Sequence, residues 1–328
     1  ISNDPVLADM QIIRARVGTN FPIEPEEHEW IETMWNENGK PPPPPQLQPE
    51  YTLKQMAEET HMAQSQLERW KAGIKRKRQA VFYGPPGTGK TFVAGLMAKH
   101  LVGGTNGIQE LVQFHPAYSY EDFMQGIRPH ADEDGHLSYP IMPGRFLQFC
   151  QKAEQASASP CVLVIDEINR ANLARVFGEL MYLLEYRDEE IPLAGGNTFR
   201  IPENVLIIGT MNTADRSIAL VDHALRRRFA FMQLYPNYDI LHRYHQNRNT
   251  GFATQPLVAL LEQLNRDIKN PHYEVGVSFF LTETIDQDIE DIWRMEIEPY
   301  LEEYFFDQTD TLANYRWDQV QKQLGGQT

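Results

Sequence analysis

Short, wholly apolar runs are separated by longer amphipathic stretches along most of the chain, and this alternation predicts a parallel sheet wrapped by helices. Cys161-Val162-Leu163-Val164-Ile165 and Val205-Leu206-Ile207-Ile208 lack the polar alternation of a half-exposed strand, so both predict strands buried on two faces. Val81-Phe82-Tyr83, Glu110 to His115 and Phe229 to Leu234 predict three more. Helical spacing predicts two helices across Thr52 to Ile74, from Leu53, Met56 and Ala57 and then Met62, Leu67, Trp70 and Ile74. Further helices are expected over Phe92 to Leu101, from Tyr118 to Phe123, resuming near Phe146, and over Glu179 to Glu185. Gly126 to Gly144, centred on Asp132-Glu133-Asp134-Gly135, and Ile191 to Pro202 read as two inserted hairpins. From Tyr238 onward the pattern is helical, over Asp239 to His245, Pro256 to Ile268 and Ile285 to Phe306. The short apolar segment Val275-Gly276-Val277-Ser278-Phe279-Phe280 lies between the last two.

Ahead of these elements stand five consecutive prolines, Pro41 to Pro45. They favour a stiff polyproline spacer, with an SH3-type ligand as the alternative reading. The expected organisation is an extension and linker over 1–50, an α/β nucleotide-binding subdomain over 51–236 with a doubly wound parallel sheet, and an α-helical lid over 237–328.

Composition narrows the function. The chain has 328 residues, with 30 Lys+Arg against 45 Asp+Glu, for a formal charge of −15. A chain this acidic does not hold nucleic acid by net electrostatics, so DNA contact needs a local basic patch, another domain or a complex. The basic run Lys71, Lys75, Arg76, Lys77, Arg78 allows a helix-turn-helix reader. A helical lead-in with a solvated basic end is favoured instead, because a strand follows directly. Cys150 and Cys161 make neither a disulfide framework nor a zinc spacing and fit a reducing cytoplasm. His242 and His245 lack a third metal ligand. No apolar run of about 18 residues predicts a membrane span. The chain begins at Ile1 rather than Met, which reads as a piece of a longer protein.

The chemistry is concentrated where apolar strands end. Val81-Phe82-Tyr83 runs into Gly84-Pro85-Pro86-Gly87-Thr88-Gly89-Lys90-Thr91, the full G-x-x-x-x-G-K-[ST] spacing between a strand and a helix. Its glycines let backbone N–H groups curl round a phosphate; Lys90 reaches the β and γ phosphates, and Thr91 offers its hydroxyl to Mg²⁺. The second strand end, Asp166-Glu167, places one acid to hold Mg²⁺ through water and one to orient and deprotonate an attacking water. At the third, Met211-Asn212-Thr213-Ala214-Asp215-Arg216-Ser217, Asn212 is placed to hydrogen-bond that water or the phosphate. Asp215 is either a neighbour in the same task or, through the Asn-x-x-Asp spacing, a reader of guanine. Arg226, Arg227 and Arg228 within Ala224 to Phe229 point in different directions, so in a ring one of them can reach a neighbour's γ-phosphate.

Taken together, GPPGTGKT, Ile165-Asp166-Glu167-Ile168-Asn169-Arg170-Ala171-Asn172, the Met211 to Ser217 segment and Ala224 to Phe229 resemble the AAA+ P-loop NTPase domain of the McrB-type motor subunits of modification-dependent restriction systems. The resemblance extends from about Tyr51 into the lid, where Glu298 to Phe306 also looks family-like. It implies a homo-hexameric ring with nucleotide at subunit interfaces, GTP as the favoured nucleotide with ATP possible, and Mg²⁺. It also implies an McrC-like nuclease partner that stimulates hydrolysis, and translocation on DNA. By the same resemblance Arg170 joins Arg226 to Arg228 as a candidate for acting in trans. The lid departs from the family pattern: a Gly-His-Ser-Tyr-Phe type segment is expected where Gly276-Val277-Ser278-Phe279-Phe280 stands, so Val277 occupies the place of the family's lid histidine. Residues 1–50 are too short for the family's modified-base reading domain. A MoxR-like ATP-dependent chaperone is the nearest rival, and a nucleotide-gated DNA-binding module that does not hydrolyse is the rival of another class.

Overall fold

The computed structural model describes residues 47–131, 136–215 and 223–325. The chain divides into Ile1–Gln46 and Leu47–Thr328, and every described residue belongs to the second unit. Residues 1–46 of the extension, with the proline run, lie outside the described residues, as do Asp132 to Gly135, Arg216 and Ser217.

Two helices lead in, α1 (Leu53–Thr60) and α2 (Gln64–Lys77). Thr52 caps α1 by accepting the Gln55 N–H while the Gln55 side chain returns to the Thr52 N–H. Leu67 and Ile74 of α2 are fully buried and Trp70 meets Phe82 edge to face at 5.1 Å, so this helix is part of the core rather than a free reader. Two of the basic residues at its end bond within the chain: Lys77 Nζ donates to the Arg227 carbonyl at 2.9 Å and an Arg78 guanidinium nitrogen to the Glu203 carbonyl at 2.8 Å.

The sheet has β1 (Gln79–Gly84), β2 (Gln109–Gln113), β3 (Cys161–Asp166), β4 (Val205–Asn212) and β5 (Ala230–Gln233). All pairings are parallel, in the order β5-β1-β4-β3-β2. The apolar runs of β3 and β4 are buried on both faces, for alternate residues enter different cores. Leu163, Ile165, Val205 and Ile207 join the aromatic cluster of Phe114, Phe123, Phe146 and Phe177. Val162, Val164, Leu206 and Ile208 pack under α3 (Lys90–Val102) with Ala94 and Met97. Fully burying one such aliphatic side chain stabilises the fold by about 1.5–3 kcal/mol, which commits each strand to its place. Register then aligns the chemistry at one edge: Gly84 lies beside Asn212, and Asp166 beside Gln113.

Both predicted hairpins are present. Gln125–Ile127 pairs with Ile141–Pro143, His130–Ala131 with Leu137–Ser138, and Ile191–Pro192 with Thr198–Phe199. The Gln125 side chain donates to the Ala194 carbonyl at 2.7 Å and ties the two hairpins together.

The lid builds its own core from Leu241, Leu257, Leu261, Leu264, Phe280, Trp293, Leu301, Phe305 and Val320. The helix expected over Ile285 to Phe306 comes in three pieces, Ile285–Ile292, a π-helical Trp293–Ile297, and Glu298–Tyr304. Pro299 has no N–H to donate, and the helix widens just before it, with the Glu298 N–H reaching back to the Trp293 carbonyl. His245 is a structural member of this core, its ring nitrogens 3.0 Å from Thr250 Oγ1 and 3.0 Å from the Phe280 carbonyl. Among the described residues no group of three His, Cys, Asp or Glu could hold a metal, and no helix is long and apolar enough to cross a membrane.

Candidate functional site

β1 ends in the phosphate loop. Gly87 and Gly89 have φ of 74° and 75°, a left-handed conformation that L side chains rarely adopt. Gly89 is the N-cap of α3, so unpaired N–H groups and the helix dipole face the loop's concavity. A Cβ on Gly84 would stand 2.2 Å from the Leu234 carbonyl oxygen, which excludes any larger residue there. Lys90 Nζ donates to the Pro85 carbonyl at 2.8 Å, and Thr88 Oγ1 to the same carbonyl at 2.9 Å. Burial pushes the Lys90 ammonium down to about 8, opposed by the charges of Glu167, Asp166 and Asp215. A cation drawn to three acids and spent on one carbonyl is a group built for a stronger anion. The loop therefore fits a polyphosphate.

The acids gather beside it. Thr91 Oγ1 donates to Asp166 Oδ1 at 2.7 Å, bringing the helix start and the end of β3 together. A carboxylate and a hydroxyl in contact at a phosphate loop are the hard oxygen donors that Mg²⁺ prefers, so this pair fits that ion. Glu167 follows with φ 52° and ψ 46°, which turns it off the strand. Burial raises the Glu167 carboxyl above the usual carboxylate range; Arg170 opposes this, while Asp215 and Asp166 add to it. Arg170 Nε lies 3.5 Å from Glu167 Oε2 and 3.4 Å from Asp215 Oδ2. Within the chain, then, Arg170 stands between two acids. Asp215 faces this arginine across the acid cluster rather than the cavity described below.

Asn212 ends β4 beside Gly84, its side-chain oxygen accepting the Ala214 N–H at 3.3 Å and its carbonyl accepting from Asn169 Nδ2 at 3.3 Å. The three arginines lie on α4 (His223–Arg228) and do not all point in different directions, since two of them converge on one acid. Arg227 and Arg228 both pair with Glu185, at 3.0 and 2.7 Å. Arg226 is exposed and lies over the Phe231 ring at 5.9 Å.

Two features escaped the sequence. A cavity of about 870 Å³ adjoins the phosphate loop, lined by Thr60 to Met62, Thr88, Tyr235, Asn237 and Tyr244 among others. It is roomy enough for a nucleoside. His61 turns the chain between α1 and α2 with φ 55°, which carries the lead-in helices to the cavity wall. The second feature is the lid's grip on the loop: the Gly276 N–H donates to the Pro86 carbonyl and the Ser278 N–H to the Gly87 carbonyl, both at 2.9 Å. Thr213 Oγ1 adds a bond to the lid's His272 carbonyl at 2.9 Å. The signal for the grip was a glycine in an apolar segment, which marks close backbone approach but not its partner.

A five-stranded parallel sheet, a phosphate loop after β1, paired acids after β3, a polar strand end after β4 and a helical lid define the AAA+ class of P-loop NTPases. Residues 79–229 match the AAA domain of the dynein-related subfamily, and residues 256–313 match the McrB α-helical lid domain. The chain is 37% identical over 306 residues to the type IV methyl-directed restriction enzyme EcoKMcrB subunit of Escherichia coli K12, covering 85% of this chain and 65% of that protein. It is 27% identical over 195 residues to the type II restriction enzyme BsuMI component YdiS of Bacillus subtilis 168, covering 48% of this chain and 57% of that one. The chain belongs to the McrB-type AAA+ family.

Proposed function

We propose that the chain is a Mg²⁺-dependent nucleoside triphosphatase, with GTP favoured over ATP, that works as a homo-hexameric motor driving DNA translocation in a restriction complex with an McrC-like nuclease subunit. The observation that carries the chemistry is the 2.7 Å contact of Thr91 with Asp166 at the mouth of the phosphate loop, with Glu167 next in the chain. Likeness to two restriction subunits supports the complex, and the matched McrB lid favours it over a MoxR-like chaperone.

Gly84 to Gly89 cradle the phosphates, Lys90 leaves Pro85 to meet them, and Thr91 with Asp166 would hold Mg²⁺. Mg²⁺ held there would supply charge neutralisation for the bound phosphates. Glu167 accepts the proton of the attacking water, for which a raised carboxyl value is the favourable direction. Asn212 orients that water, and Lys90 with a neighbour's arginine stabilises the charge that develops. Steady-state hydrolysis of GTP and ATP, with and without an McrC-like nuclease subunit, tests the reading. GTP turnover raised by that nuclease is the expected result; turnover of ATP alone, indifferent to the nuclease, would move the chain to the chaperone-like branch. Glu167→Gln should keep nucleotide binding and lose turnover.

A further inference from the structure

We infer that Thr210, a residue of β4 that belongs to neither acid motif, is a positioning residue that sets Asp166 and Glu167 in register with Asn212. The inference rests on the roles given to the two acids under the proposed function. Thr210 is 2% exposed. Its hydroxyl donates to Asp166 Oδ1 at 2.6 Å and accepts the Glu167 N–H at 3.2 Å. One hydroxyl thus spends its donor and an acceptor position on two consecutive acids. Asp166 Oδ1 also receives Thr91, so the phosphate-loop helix, β3 and β4 meet at a single carboxylate oxygen.

The backbone of Glu167 explains why such a group is needed. A non-glycine residue at φ 52° persists only where its surroundings over-determine it. Its carbonyl accepts the Arg170 N–H at 2.9 Å, and its own N–H is held by Thr210. Among the described residues, the Thr210 hydroxyl is the hydrogen-bond partner that holds this amide from the side of the sheet. A valine would fill the same volume, so packing alone does not demand threonine. Asn212, two residues further along β4, shares the face of Thr210.

The test compares Thr210→Val and Thr210→Ser with the parent chain in two assays. The first is steady-state hydrolysis. The second is affinity for fluorescent mant-GDP in EDTA and across a Mg²⁺ titration, which reads the Mg²⁺ site without turnover. For Thr210→Val, kcat should fall about tenfold or more, and the Mg²⁺ concentration that half-saturates its effect on mant-GDP binding should rise about tenfold. Affinity in EDTA should stay unchanged, and Thr210→Ser should behave as the parent does. A Val variant equal to the parent in kcat and Mg²⁺ response would overturn the inference, as would a Ser variant as impaired as Val, because packing rather than the hydroxyl would then be at issue. If Val does not fold, Thr210→Ala against Thr210→Ser repeats the comparison with the hydroxyl as the difference. Normal turnover in Glu167→Gln would remove the acid assignment instead, and the Mg²⁺ titration would still decide the contact between Thr210 and Asp166.

Discussion

Arg170 Nε stands 3.5 Å from Glu167 Oε2 and within the same turn of chain, so the proposed general base has a cation beside it on its own chain. With Asp215 Oδ2 3.4 Å away on the other side, Arg170 bridges two carboxylates that would otherwise repel each other. The pair has a kinetic consequence. Arg170 lowers the Glu167 carboxyl against the burial that raises it, so Arg170→Ala lifts that carboxyl further. The acid limb of the kcat pH profile should then move to higher pH, with turnover at neutral pH falling. An unshifted acid limb would show that Arg170 does not set the protonation of Glu167.

The arginines of α4 make a prediction of the opposite kind. Arg227 and Arg228 pair with Glu185, whereas Arg226 lies over Phe231 with no acid beside it in the ion pairs described, so under the proposed hexamer Arg226 is the arginine expected to act across the subunit boundary. Mixing Arg226→Ala with Glu167→Gln, each inactive alone, should restore turnover, since some interfaces then combine an intact base with an intact arginine. Mixing Arg170→Ala with Glu167→Gln should restore none, because both defects lie within one site. Recovery in the second mixture would put Arg170 in trans after all.

Lys90 carries a pH signature. Its ammonium is pushed from 10.5 down to about 8 by burial, and a bound polyphosphate restores the charged form. Binding above pH 8 therefore takes up a proton, and affinity for mant-GDP without Mg²⁺ should weaken as pH rises through 8 toward 10. The sign for folding is the reverse: between 8 and 10.5 the unfolded chain holds the proton that the folded one has lost, so ligand-free stability rises with pH across that window. Titrations of affinity and of thermal unfolding check both slopes, and Lys90→Met should flatten each.

Why some of this was legible in sequence and some was not follows from the range of the interactions. The runs at Cys161 to Ile165 and Val205 to Ile208 announce strands because burial on both faces removes any need for polar positions. GPPGTGKT announces its loop because the glycines answer to backbone geometry within a few residues. Thr210 was invisible because a β-branched residue suits a strand whatever its hydroxyl does. Arg170 was assigned by resemblance to a neighbour's site, and only tertiary placement brings Asp215 against it. The cavity wall was hidden for a similar reason, since Thr60 to Met62 and Tyr235 to Tyr244 meet only once the lid has folded back.

The lid's grip on the phosphate loop gives the last prediction. Gly276 and Ser278 donate to successive loop carbonyls, and a Cβ built on Gly276 would lie 2.0 Å from the Gly87 carbonyl oxygen. Backbone cannot step aside as a flexible side chain can, so Gly276→Ala should push the lid off the loop and cost about 1–3 kcal/mol by overpacking. The cavity beside the loop is walled partly by the lid residues Val277, Ser278 and Leu281, so the same change should open it. Affinity for mant-GDP should fall about tenfold or more, in line with a loss of that size, since each 1.4 kcal/mol is a factor of ten. Ser278→Ala keeps the N–H that bonds Gly87 and should bind as the parent does. If Gly276→Ala kept full affinity, the contact would be a resting place of the lid rather than a part of the nucleotide site.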